Sequence, residues 1–169
     1  MHIVRQLPAV FSLLLSCMLA TLALAGDAPT GKPILTVTGQ IDETNQNASF
    51  VFDKAMLKQL PQYSFTTGTP WHPEKHRFTG PLLRDVLQRV GASGDNIQAI
   101  ALNDYKVDIP KVDSEKFDMI IALLMDDEPM SVRNKGPLFV LYPFDLQRES
   151  QSQIYYNRAI WQLKALHIE

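Results

Sequence analysis

Residues 119 to 125, M-I-I-A-L-L-M, are apolar at seven successive positions. A strand built from them offers no polar side to water, so it has to be covered on both faces. That requires a sheet with layers on either side, and the surrounding sequence supplies strands for it. Ile34 to Thr38 alternates and is rich in β-branched residues, and Ser49 to Phe52 follows as a second short strand. Tyr63 to Thr67 alternates again, with Tyr63, Phe65 and Thr67 on one side. Ile97 to Leu102 and Tyr105 to Ile109 read as strands joined by Asn103-Asp104, a two-residue hairpin turn. Leu138 to Tyr142 is a further strand, and Asp126-Asp127-Glu128-Pro129 is a turn.

Helices are few. Asp53 caps a brief one ending before Pro61, with Met56, Leu57 and Leu60 on one face. The clearest spans Pro81 to Val90: Pro81 suits a first helical position, Leu82, Leu83, Val86, Leu87 and Val90 form one stripe, and Gly91 suits the end. Asp113 to Phe117 fits one helical turn, Glu149 to Ala159 reads as helix or loop, and Trp161 to Ile168 as strand or helix. No repeat or linker divides the chain. Strands with a few interspersed helices predict a single α+β domain.

Its beginning is marked by a different pattern. Arg5 precedes an almost wholly apolar Leu7 to Leu24, and Ala23-Leu24-Ala25 has the small-x-small form of a signal cleavage site. Residues 1–25 are therefore expected to be an export signal, and 26–169 a periplasmic or secreted domain with no membrane span after cleavage. An uncleaved anchor is the alternative. The signal holds the only cysteine, Cys17, so the mature chain has no thiolate nucleophile, thiolate metal ligand or disulfide. Removing Arg5 leaves 15 cations against 18 acids, a net charge of −3, which argues against nucleic acid as a partner.

Four groups of residues carry candidate chemistry. His72-Pro73-Glu74-Lys75-His76 would place two histidines on one helix face as a metal pair, with His167 the remaining histidine of the mature chain; otherwise it is an exposed polar loop. Asp126-Asp127 could hold a cation or act as acid and base, although adjacent turn acids usually just meet solvent. Arg133-Asn134-Lys135-Gly136 sets two cations and a permissive glycine before a strand, a pattern suited to an anion or to a solvated strand entrance. Asn103-Asp104-Tyr105 offers hydrogen-bonding groups at a strand junction. Serine-hydrolase, P-loop, dinucleotide and zinc-protease signatures are absent from the sequence.

Taken in order, F-T-G-P-L-L-R-D-V-L (78–87), N-D-Y-K-V-D-I-P (103–110), D-D-E-P-M (126–130) and K-G-P-L-F-V-L-Y-P (135–143) resemble the molybdopterin-binding domain of the sulfite oxidase superfamily. The chain is similar to its small, secreted, single-domain members. The resemblance implies a mixed-sheet, barrel-like α+β fold with a pterin-sized groove. It also implies that Tyr105, Arg133, Lys135 and Gly136 lie near that groove, with molybdopterin as the cofactor.

Two departures from the family pattern stand out. Catalytic members ligate molybdenum through a cysteine before the F-x-G-x-x-L segment; here that region is Y-S-F-T-T-G-T-P-W (63–71), without one. A neutral hydroxyl does not substitute for a soft thiolate. Where sulfite-oxidising members tend to carry an arginine, this chain has Phe139. The expectation is an exported module that binds a small ligand, or a membrane signalling protein, without molybdenum redox catalysis. The alternative is a molybdopterin-dependent oxidoreductase with an oxygen ligand from Ser64, Thr66, Thr67 or Thr69.

Overall fold

A computed structural model describes residues 28–169; the expected export signal lies outside the described residues. The chain runs through β1 (Pro33–Gly39), β2 (Phe50–Asp53), α1 (Lys54–Gln59), β3 (Gln62–Thr69), β4 (His72–Pro81) and α2 (Leu83–Arg89). It continues with β5 (Asn96–Ala101), β6 (Lys106–Pro110), α3 (Lys111–Lys116), β7 (Ile120–Ala122), β8 (Leu124–Met125) and β9 (Glu128–Pro129). Then come β10 (Phe139–Leu141), α4 (Gln153–Arg158), β11 (Ile160–Trp161) and β12 (Leu163–Ile168), with 3-10 turns at Val132–Asn134 and Arg148–Ser150.

Local sequence explains several of these elements directly. Asp53 accepts the Met56 N–H at 2.9 Å and caps α1, leaving Leu57 as its buried residue. On α2 the expected stripe is the buried one: Leu83, Val86, Leu87 and Val90 all face the core. Each such side chain contributes about 1.5–3 kcal/mol on full burial. Pro81, expected at the first helical position, is instead the last residue of β4. The two residues before Leu83 are held to the sheets by the bridge from Leu82 to Ile120 and by Leu83 N–H bonding Met119 O at 2.8 Å, so the helix starts later.

Three sheets form. The largest has the order β2-β1-β12-β5-β6, in which β12 runs parallel to β1 and antiparallel to β5. A three-stranded sheet has the order β11-β10-β7, and a four-stranded one the order β3-β4-β8-β9. The mixed, mostly sheet α/β architecture agrees with the expected class. The expected barrel does not form: the five-stranded sheet stops at β2 and β6, and none of the sheets closes on itself.

Residues 119–125 hold the three-stranded and four-stranded sheets together. The run is buried through Leu123, as its composition requires, but it is not one strand. β7 pairs with β10, Leu123 N–H bonds Thr79 O at 2.8 Å, and β8 then pairs with β4. Where the run changes sheets it crosses β4 in backbone contact. A Cβ on Gly80 would sit 2.0 Å from Ile121 O. The glycine of F-T-G is therefore there for the crossing.

The hairpin between β5 and β6 also differs from the expected two-residue turn. Ala101 N–H bonds Tyr105 O at 2.9 Å, and Asp104 takes a left-handed φ of 66°, so the turn holds three residues, Leu102 to Asp104. This turn pushes Tyr105 outward.

Candidate functional site

The segment His72 to His76 is neither helix nor polar loop but the first half of β4. In a regular strand two residues four apart would be about 13 Å from each other. Here the ladder pairs Thr67 with His76 and Thr69 with His72, so Pro73-Glu74-Lys75 bulges opposite Gly68 alone. The bulge moves the two imidazoles onto neighbouring sites of one face, with ring centroids 5.2 Å apart. It is clamped from a distance: Asp145 accepts Gly68 N–H at 2.8 Å and pairs with Lys75 at 3.1 Å.

Each histidine is oriented through Nδ1. Thr69 Oγ1 lies 2.8 Å from His72 Nδ1, and Asp126 Oδ2 lies 2.6 Å from His76 Nδ1. Burial, then His76 and Lys135, hold the His72 imidazole below its usual 6.5, favouring its neutral form. The Asp126 carboxyl is depressed by the Arg77 backbone N–H it accepts and by His76. Its neighbour Asp127 pairs with Arg77 at 3.0 Å. Asp126 is thus held by His76 and the Arg77 backbone, and Asp127 by the Arg77 guanidinium, so each acid of the turn is already engaged. His167 bonds Thr38 in the five-stranded sheet and takes no part. Among the described residues, no three His, Cys, Asp or Glu side chains converge as a metal cluster.

Beside the histidines lies an aromatic cluster centred on Phe139. Its ring is 5.6 Å from Trp71, 6.1 Å from Phe78, and 6.5 Å from both His72 and Trp161. Phe139 is fully buried, so an arginine at this position would place its charge among aromatic rings. Trp71 and Trp161, 5.1 Å apart, reach from this cluster to a surface cleft of about 370 Å³. Tyr105, Tyr156, Asn103 and Asn157 contribute to its other walls. Sequence reasoning missed this cleft because its walls come from three separated segments, Trp71, residues 101–105 and residues 156–161.

The four residues implied as cofactor-binding are placed differently from one another. Tyr105 is on the cleft wall and exposed. Lys135, in a left-handed turn, sets Nζ 5.0 Å from the centre of the Trp161 ring. Its carbonyl accepts Gln162 N–H at 2.9 Å, and Gln162 Nε2 bonds Val132 O at 2.9 Å, which staples residues 132–135 to the β11–β12 turn. Arg133 is exposed in the 3-10 turn, away from the cleft lining. Gly136 is required by packing: a Cβ there would fall 2.1 Å from Met130 O.

The hydroxyls considered as metal ligands are already engaged or point elsewhere. Thr67 is buried, accepts Asp145 N–H at 3.1 Å and donates to Gly68 O at 3.2 Å. Thr69 Oγ1 serves His72 and accepts Trp71 N–H at 3.3 Å. Ser64 bonds Thr79 on an exposed surface, and Thr66 is exposed on the strand face opposite Thr67. These residues do not fit the thiolate role that a molybdenum centre requires.

A buried polar group beneath α4 was not anticipated either. Asp113 Oδ2 accepts from the Tyr142 hydroxyl and from Arg158 Nη1, both at 2.7 Å. It ties α3, the end of β10 and α4 together. No family model and no curated protein matches the chain.

Proposed function

We propose that this chain is an exported binding module of the sulfite-oxidase-like, molybdopterin-binding class that has given up molybdenum redox catalysis. It would hold a flat, polar small molecule between the tryptophans of its cleft. One observation carries the reading: Trp71, Trp161, Tyr105 and Tyr156 wall a cleft of about 370 Å³ that Asn103 and Asn157 also line. Such a combination suits stacking on a planar ring with hydrogen bonds to its edge. Lys135, parked on Trp161, adds a cation for an anionic substituent. The engaged hydroxyls of Thr67 and Thr69, in a mature chain without cysteine, support the loss of the metal chemistry.

The test exploits composition, since both tryptophans of the chain line the cleft. Titration with pterin, a flavin and a purine nucleoside is expected to change intrinsic fluorescence saturably for at least one, with the response lost in Trp161→Ala and in Tyr105→Ala. Metal and pterin analysis of the purified protein is run alongside. Stoichiometric molybdenum with oxidase or reductase activity would overturn the reading, as would no response to any of the three probes.

A further inference from the structure

The histidine pair is not used by the cleft. Trp71 and Trp161 line the cleft, whereas His72 faces the neighbouring surface depression with Pro73, Glu74 and Lys75. Both imidazoles use Nδ1 for a bond within the protein. Neither Nε2 has a protein partner among the described residues. No buried side-chain nitrogen or oxygen there is left unpartnered either, so both Nε2 atoms reach the surface.

That arrangement is the one a metal-binding histidine needs. A carboxylate accepting Nδ1–H, as Asp126 does from His76, fixes the tautomer whose Nε2 carries the lone pair and strengthens it as a donor. Thr69 Oγ1 has two lone pairs, enough to accept both Trp71 N–H and His72 Nδ1–H, which gives His72 the same tautomer. The rings are close enough for two donors to meet one ion, and the three-residue bulge creates that proximity at some cost to the ladder.

We propose that His72 and His76 form a two-histidine site for a late first-row transition-metal ion, copper or zinc. Both Nε2 atoms bind the ion, and its remaining positions stay open to water or an exogenous donor. Imidazole donors select this part of the series over magnesium or calcium. Two charges act in opposite senses: the Asp126 carboxylate favours the cation, and Lys135 opposes it. With two protein ligands the site is open, and the inference is independent of what the cleft binds.

Lys135 makes the proposal decidable, because its removal has opposite effects on a cation site and an anion site. The purified, untagged protein is titrated with Cu(II) and Zn(II) by calorimetry, with Trp71 fluorescence following copper. One equivalent is expected to bind. His72→Gln and His76→Gln should each abolish that equivalent, Asp126→Asn should weaken it about 10- to 100-fold, and Lys135→Gln should tighten it. His167→Gln should leave it unchanged. Thermal melts of the metal-free variants separate folding defects from lost ligands, and the Lys135 variant keeps both histidines. Failure of either ion to bind, binding that survives both histidine substitutions, or weaker metal binding in Lys135→Gln would each overturn the assignment.

Discussion

The Tyr142 hydroxyl donates to Asp113 Oδ2 at 2.7 Å inside a core where the Tyr142 side chain has no exposed surface. Burial and that bond push the phenol well above its usual 10, so it is a permanent donor. Arg158 reaches the same oxygen from α4. The two donors depend on one carboxylate, which makes the group asymmetric. Asp113→Ala strands both and is expected to cost about 3–5 kcal/mol, whereas Tyr142→Phe leaves the Arg158 pair and should cost about 1 kcal/mol. Urea unfolding of the two variants measures the difference; equal costs would show that the carboxylate is not shared.

Gly136 tests whether a residue of the implied cofactor loop serves packing instead. Its missing Cβ leaves room for Met130 O, so Gly136→Ala should destabilise by about 1–3 kcal/mol through overpacking. The cleft-lining residues would be untouched. A variant of unchanged stability but altered ligand response would return Gly136 to the site.

The cation over Trp161 should be visible optically. Lys135→Gln is expected to shift Trp emission and to cost about 0.5–1 kcal/mol in denaturant. Trp161→Phe should keep most of that energy while changing the emission, since a ring face remains. An unaltered spectrum in Lys135→Gln would mean the ammonium does not rest on the indole.

Acid stability carries a signature of His72. Its folded-state pKa lies below the unfolded value near 6.5, so the unfolded chain takes up the proton first. Stability attributable to this residue is intact above pH 6.5 and declines as pH falls from there through the lowered folded value. The Asp126 and Asp145 carboxylates, both depressed, add a separate loss lower down, below about pH 4. His72→Gln should flatten the upper part of the stability–pH curve and leave the lower part. An unchanged slope between pH 6.5 and 5 would contradict the assignment.

What could be read from sequence were the features settled by near neighbours. Asp53 caps α1 through a residue three positions on, and the α2 stripe needs only helical spacing. Burial of residues 119–123 followed from composition, but not the division of the run between two sheets, which Thr79 and Gly80 impose from about 40 positions upstream. The histidine pair shows the limit most sharply. H-P-E-K-H suggested helix spacing, while the real proximity comes from a bulge clamped by Asp145, about 70 residues away. The cleft was hidden for the same reason, since Trp71, Tyr105, Tyr156 and Trp161 meet only after the sheets assemble.

The place of β12 within the largest sheet sets an order of events for the chain. β1 and β2 can pair early, yet the strand that joins them to β5 and β6 is made more than 120 residues after β1 begins. Until residue 168 is available, the sheet consists of two separate hairpins with open edges. Assembly is therefore a late step that closes the longest loop in the domain, and such closures are slow. Loss of β12 would therefore remove the central seam of this sheet rather than a fringe.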